Sequence, residues 1–435
     1  MARTSDPTGA RLEQTPRPWD HELPAHGGAG ATGGRRASMA CLGRTGQWGN
    51  SLMAYFALKA FSEVHGMAAE VPRWIGQDLF GWRDASVTGA HPTVLYDGIS
   101  ELCQDSHHPM VAASLAMDRE RQLRPAGRRL VVVRDPDFFD RSMDLPATEV
   151  DLEGPYLLHT RHLSRHRDLL RRMVEPVLAL RGCLEAGWSK LQSRGAVVIG
   201  VHIRRGDFDD KFSHQGFEFV APMKWYRAWL DELWGRYERP VLFVASDSLP
   251  QVLPALARYD PITSRDLGVS LPAEFLRLDL PAAHLQRDAG FLPDWFMLTR
   301  CQALAISNST FSFTAAMVNE SASVFARPDP RANGLVPFDP WDSEPLLFLP
   351  TTRHLPLEVL RRLVMAQRGI GARATLSNVR RALRWYADVL LVRAIAARRY
   401  SGTAGLLREM LRPQFYLSAC RRYDQAEPGP PTVSP

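Results

Sequence analysis

The sequence predicts an α/β protein built on mainly parallel sheet, and three observations carry that expectation. Apolar runs at Val197–Val201, Val241–Ala245 and Ala303–Ile306 have strand length, and the first lacks the alternation of a half-exposed strand. Helix-period segments stand between and beside them, at Trp225–Trp234, Gln251–Tyr259 and Pro293–Arg300. Each run ends in a polar cluster, at His202–Asp207, Ser246–Ser248 and Ser307–Ser312. Carboxyl ends of parallel strands line one edge of a doubly wound sheet, so the three clusters should share one crevice.

The other elements follow in chain order. Residues 1–37 carry Thr, Pro, Gly and His without apolar period and read as a disordered leader. The glycine run His26–Gly34 lacks a Gly-Lys-Ser/Thr ending and a preceding strand, so it reads as linker. Order is expected from about Met39. Gly43–Asn50 is a glycine-rich turn, and Ser51–Val64 has a helical apolar face of Leu52, Met53, Phe56, Ala60 and Phe61. Asn50 or Ser51 is the expected N-cap, and backbone N–H groups at such a turn suit an anion. Leu130–Val133 reads as a strand, Arg165–Leu180 as a basic helix, and Phe313–Val318 as the helix after the hydroxyl-rich turn. At 435 residues the chain exceeds one core, so domains are expected at about 38–195 and 196–345. A basic helical extension over 346–422 and a disordered tail over 423–435 should follow.

Composition excludes several classes. Apolar content of 45% and charged content of 23% are those of a globular protein. No apolar run reaches the roughly 18 residues of a membrane-spanning helix, and Met1–Arg36 lacks a signal-peptide core. The five cysteines, Cys41, Cys103, Cys183, Cys301 and Cys420, form no Cys-x-x-Cys and read as reduced thiols of a cytoplasmic protein. Heavy use of Arg, Ala, Pro and Leu suits a GC-rich bacterial genome. Charge is concentrated: Arg361–Arg422 holds fourteen arginines against Asp388 and Glu409, a local balance of +12 in a chain of net +6. Those arginines sit among Leu, Val, Ile, Trp and Tyr at helical spacing, which fits a membrane-surface or packed helix better than a nucleic-acid arm. The expectation is no nucleic acid, with peripheral membrane contact through 361–422 as one reading and packing on the body as the other.

The chemistry concentrates in His202-Ile203-Arg204-Arg205-Gly206-Asp207. Strand alternation puts His202 and Arg204 on one face, so Arg204 is the arginine that can meet a ligand beside His202. An arginine–aspartate pair fixing a strand end accounts for the same residues without a ligand. Arg205-Gly206-Asp207 also spells an adhesion tripeptide, but fusion to a buried strand argues against that use. The turn Ser309, Thr310, Phe311 and Ser312 offers hydroxyls and N–H groups suited to a diphosphate, or a simple N-cap. Asp294, at a helix start, can cap that helix or accept two N–H bonds from a guanine edge. Val131–Asp137 ends in Asp135-Pro-Asp137, the only sequence suggesting a sugar-nucleotide metal; the proline and Arg134 favour a surface turn. No other metal-ligand spacing emerges.

These motifs together resemble the GDP-fucose-dependent fucosyltransferase superfamily, whose signature is His-x-Arg-Arg-x-Asp, and most closely its α1,2 branch, glycosyltransferase family 11. Gly46-Gln-Trp-Gly49-Asn50 is similar to the family's Gly-x-x-Gly-Asn turn, and Ser246-Asp247-Ser248 to its Ser-Asp-Asp. Asp294 before Cys301, Asn308–Ser312 as Asn-Ser-Thr-Phe-Ser, and Gly154-Pro-Tyr156 complete the order over roughly residues 40–345. The chain departs from the family pattern at Gln47, Ser51, Ser248 and Phe313-Thr314, where arginine, glutamine, aspartate and two tryptophans are usual.

The resemblance implies two Rossmann-like domains in a GT-B-like arrangement, the second holding GDP-fucose. It implies a metal-independent, inverting transfer of L-fucose to a glycan hydroxyl, O2 of a galactoside first, on an acceptor that is lipid-linked if the tail meets a membrane. Arg204, His202 and Asp207 would be catalytic, with Asp207 orienting the loop. Gly46, Gly49, Asn50, Asp247, Asp294, Ser309, Thr310, Phe311 and Ser312 would hold the donor. Asp209, Asp210 and Glu218 follow the motif, where a carboxylate can serve as base. An α1,6-type transferase and a catalytically silent sugar-nucleotide or glycan binder are the alternatives.

Overall fold

Parallel strand pairing organises the computed structural model of the chain, which describes residues 34–44, 46–89, 91–96, 130–133, 148–153, 156–206, 208, 220–329 and 332–347. The first sheet contains β1 (Arg36–Ser38), β2 (Ala68–Val71), β3 (Ala85–Ser86), β4 (Thr93–Tyr96), β5 (Leu130–Val133) and β6 (Glu149–Glu153). Its order is β3-β2-β1-β6-β4-β5, and every pairing is parallel. The second contains β7 (Val197–Ile203), β8 (Pro240–Ser246), β9 (Ala303–Ala305), β10 (Val324–Asp329) and β11 (Gly334–Pro337). Its order is β11-β10-β9-β7-β8, parallel except for β10 with β11. The α/β expectation therefore holds.

The second sheet positions the site. From β7 the chain moves outward to β8, then returns to place β9 on the other side of β7. That reversal opens a crevice between the carboxyl ends of β7 and β9, where α/β sheets bind ligands. The expected run at Val197–Val201 extends as strand through His202 and Ile203, because Ile203 still pairs with Ser246 of β8. Gly200 is needed there: a Cβ would meet Cys301 Sγ at 2.6 Å.

Between the sheets lies the helix Trp48–His65, buried along most of its length. It begins at Trp48, three residues before the expected Ser51, and its N-cap is Gln47 in extended conformation without a side-chain bond. The expected caps Asn50 and Ser51 are thus inside the first turn; Ser51 Oγ instead donates to Gly46 O at 3.3 Å. Gly66, at φ 59°, ends the helix in the left-handed region.

Three further boundaries move. The basic helix expected over Arg165–Leu180 is broken: Arg167–Arg172 is helical, and a second helix runs Leu178–Gln192. Pro176 has no N–H to donate and disfavours helix at the residue before it, which explains the break. The helix after the hydroxyl turn starts at Thr310, not Phe313. Strand β1 begins at Arg36, two residues inside the expected leader. Leu178–Gln192 packs against the second sheet's helix Leu292–Leu298, with Arg300 donating to both Glu185 oxygens at 3.1 and 2.7 Å just beyond it. The arginine-rich extension over 346–422, apart from Leu346 and Leu347, and the tail lie outside the described residues. Among the described residues no helix is long and apolar enough to cross a membrane.

Candidate active site

The three polar clusters meet at one edge, because β9, β7 and β8 are consecutive neighbours. His202 Nδ1 lies 2.8 Å from Ser307 Oγ, joining the ends of β7 and β9. Burial, and then the Arg204 charge, push the imidazole down to about 3, so His202 is neutral at physiological pH. Its ring also lies against Phe311, with centroids 5.0 Å apart. His202 is thus packed into the floor of the edge, holding the hydroxyl-rich turn.

Arg204 takes the more open position. Its Nη1 is 3.0 Å from Asp247 Oδ2, and both side chains keep 24% of their exposure. The other oxygen, Oδ1, accepts the Arg205 backbone N–H at 2.8 Å. Asp247 therefore fixes both the guanidinium and the backbone of the fork, the orienting task assigned from sequence to Asp207. Gly206, at φ 30°, lets the chain turn here; a Cβ would come within 2.5 Å of Asp247 Oδ2. The Phe208 ring covers the guanidinium at 5.4 Å. Arg205 faces elsewhere, near enough to Tyr226 for its charge to oppose the rise that burial imposes on that phenol. Asp207, Asp209, Asp210 and Glu218 lie outside the described residues, as does the Asp135–Asp137 segment.

Two helix N-termini converge beside His202, whose ring lies against Phe311. Ser309 caps the helix Thr310–Val318 by accepting from Phe311 N–H at 3.4 Å, and Ser312 Oγ donates back to Ser309 O at 3.4 Å. Thr310 Oγ1 donates to Asn50 Oδ1 at 2.7 Å across 260 residues of chain. Gly49 makes this approach possible: a Cβ there would lie 2.4 Å from Phe311 N. Gly46, at φ 129°, turns the chain into the first helix. The positive ends of both helix dipoles thus meet at this point. Asn308 itself is occupied: its side chain accepts from Leu347 N at 2.8 Å and donates to Leu347 O at 2.7 Å.

Asp294 stands in the first turn of Leu292–Leu298. The residue is only partly buried, yet its Oδ1 is occluded and has no hydrogen-bond donor. Burial pushes the carboxyl up to about 6, against the opposing effects of a Ser264 hydrogen bond and the Arg265 charge. A buried acceptor without a donor is costly, and a ligand N–H would satisfy it. Among the described residues, no group of three His, Cys, Asp or Glu side chains is arranged to hold a metal.

Two of the departures from the resembled pattern, Phe313 and Thr314, fall away from this edge. Phe313 and Thr314 are fully buried; Thr314 Oγ1 accepts from Trp295 Nε1 at 3.2 Å, and the Phe313 ring lies under Arg327. Their exchange for tryptophan alters core packing. Gln47 is an exposed helix cap with no side-chain cap bond.

An arginine fork, a hydroxyl turn and the N-termini of two helices thus gather near the switch point of a mainly parallel α/β sheet, an arrangement whose guanidinium and N–H groups can receive an anion. Residues 154–253, spanning the arginine fork and the Asp247 turn, match the model of glycosyl transferase family 11. No curated protein matches the chain. Among solved structures, the chain is similar to NodZ alpha-1,6-fucosyltransferase soaked with GDP-fucose, at 13% identity and TM-score 0.41, covering 70% of this chain and 99% of that one. A selenomethionine NodZ from Bradyrhizobium gives 13%, 0.41, 71% and 99%. A mutant of Arabidopsis thaliana FUT1 in complex with GDP gives 14%, 0.40, 71% and 74%.

Proposed function

We propose that the protein is an inverting fucosyltransferase that moves L-fucose from GDP-β-L-fucose to a glycan hydroxyl, O2 of a galactoside first, without a metal. The observation that carries this reading is Arg204, partly exposed at the end of β7 and held by Asp247, two residues beyond a histidine that packs against the meeting point of two helix N-termini. Two Rossmann-like units in a GT-B-like arrangement would then enclose the donor. The family match over residues 154–253 supports the transferase class.

In the reaction the bond from fucose C1 to the β-phosphate oxygen breaks, and the oxygen keeps the electron pair. Arg204 stabilises that charge as it develops, and N–H groups of the Ser309–Ser312 turn and of Gly46–Asn50 bind the diphosphate. His202 positions Ser307 and stays neutral throughout. The acceptor oxygen attacks C1 from the opposite face, and its proton passes to a carboxylate, with Asp209, Asp210 and Glu218 the candidates. Asp247 acts through Arg204, and Asp294 accepts the guanine N–H groups. A cytoplasmic site, at a membrane surface if the basic extension binds lipid, suits this chemistry.

Calorimetry with GDP and GDP-fucose, followed by mass spectrometry of products from a galactoside panel, tests the reading. Binding with turnover is expected; binding without turnover across the panel would instead identify a catalytically silent binder. Transfer should survive EDTA and gain nothing from manganese. Loss of activity that manganese restores would move the donor site to Asp135–Asp137.

The Asp294 assignment fixes a pH dependence. As pH falls through about 6, protonation removes an acceptor for guanine, so GDP affinity should drop. Fold stability should move the other way: the folded value lies above that of the unfolded chain, so protonation favours the fold, and this contribution is lost as pH rises through about 6. Asp294→Asn should flatten both profiles. A GDP titration indifferent to pH across that window would remove Asp294 from the site.

A further inference from the structure

The glycine turn leaves the carboxyl end of β1 as the arginine fork leaves the carboxyl end of β7, and the two exits are built alike. At β7, Asp247 at the end of neighbouring β8 accepts the N–H of Arg205, the second residue past the strand, at 2.8 Å. At β1, Asp151 of neighbouring β6 accepts the N–H of Ala40, again the second residue past the strand, at 2.9 Å. Each carboxylate takes a further donor, Arg204 Nη1 for Asp247 and Ser38 Oγ, at 2.7 Å, for Asp151. Register makes the second catch possible, because Ser38 lies opposite Asp151 across the parallel pair β1–β6. Exposure separates the two acids. The Asp247 side chain keeps 24% of its exposure, whereas Asp151 is 2% exposed, so Asp151 acts on the backbone and not on a ligand.

Hydrogen bonds carry its hold forward along the chain. Met39 N–H donates to Glu70 O of β2 at 3.1 Å, Leu42 N–H to Met39 O at 3.1 Å, and Arg44 N–H to Cys41 O at 3.0 Å. Cys41 Sγ meets Leu152 O, beside Asp151, at 3.9 Å. Leu285 N–H donates to Gly43 O at 3.1 Å and fixes the next bend. Ser51 Oγ then reaches back to Gly46 O, and Asn50 takes its bond from Thr310. Ala40 is thus the first fixed point of the path that ends where the two helix N-termini meet. Bonds to an ionised acceptor are about twice as strong as neutral ones, which suits a carboxylate to that anchoring task.

We infer that Asp151 is a positioning residue of the donor site: its buried carboxylate sets the exit of β1 and thereby the place of the Gly46–Asn50 amides. It does for the glycine turn what Asp247 does for the arginine fork. The inference rests on the transferase reading for the identity of the group those amides meet.

The test uses the full chain and its Asp151→Ala, Asp151→Asn and Ser38→Ala variants, titrated with GDP by calorimetry. Asp151→Ala should weaken GDP binding about tenfold, the loss of charge-assisted bonds, with the number of sites per chain unchanged. A merely structural role would do the reverse, lowering the number of sites at unchanged affinity, since only folded chains bind. In turnover the donor KM should rise with kcat little changed, the opposite of the pattern expected of Arg204→Ala. Asp151→Asn keeps an acceptor oxygen for the Ala40 N–H and should recover most of the affinity. Ser38→Ala removes one donor of two and should lose less than Asp151→Ala. Hydrogen–deuterium exchange over residues 39–50 should rise in the same order, while Ala57–His65, the far part of the same helix, keeps its protection. Should Asp151→Ala fail to fold, the graded losses in the other two variants carry the test. Native GDP affinity in every variant, or lost sites without lost affinity, overturns the inference. Failure of GDP to bind the native protein would defeat the donor reading instead, and exchange over 39–50 would then decide by itself whether Asp151 holds the turn.

Discussion

Arg204→Ala is expected to lower the transfer rate by about a hundredfold to a thousandfold, the loss typical of one preorganised charge-stabilising group. The fold should survive, because Arg204 is partly exposed and leaves no cavity in the core. Asp247→Asn should give a smaller loss, since the guanidinium remains while its anchor weakens. Both variants should be compared in kcat and in GDP affinity by calorimetry. A role confined to the transition state appears as a fall in kcat with GDP affinity little changed. Near-normal turnover by a folded Arg204→Ala protein would remove the arginine from the mechanism.

The second large effect is expected of Gly49→Ala. The new methyl would lie 2.4 Å from Phe311 N and 2.4 Å from Thr310 C, and backbone cannot swing aside as a flexible side chain can. Overpacking of this kind costs about 1–3 kcal/mol. Thermal unfolding should show the destabilisation, and GDP binding should weaken because the Asn50–Thr310 bond is forced apart. Gly66→Ala is the control: its φ of 59° makes it strained as well, yet nothing lies within 4 Å of the added atom. It should lose stability without losing GDP affinity. Equal effects of the two substitutions on GDP binding would deny Gly49 its part in bringing the helices together.

Much of the second sheet was legible because β7 and β8 are apolar runs buried on both faces. Their polar endings announced a shared edge, and the β9–β7–β8 adjacency follows that logic. Helix starts were less legible. Gln47 caps with backbone alone, so a search for a capping side chain placed the start at Asn50 or Ser51. The pairing of Arg204 with Asp247 spans 43 residues, and the bond between Thr310 and Asn50 spans 260; no local pattern encodes such partners.

The stretch from Phe338 to Leu347 has a consequence for modularity. Ser343 exchanges hydrogen bonds with Thr160 at 3.0 Å, Trp341 Nε1 donates to Met317 O at 2.8 Å, and Leu347 clasps Asn308. One ribbon late in the chain thus binds a residue that precedes the second sheet and a residue at the carboxyl edge of that sheet. A transplant of residues 196–345 alone would leave Thr160 behind and cut off Leu347, so Asn308 would lose both bonds of its clasp. The heritable unit is therefore larger than the sheet it contains: recombination that preserves the carboxyl edge of β7 and β9 must carry Thr160 and Leu347 with it.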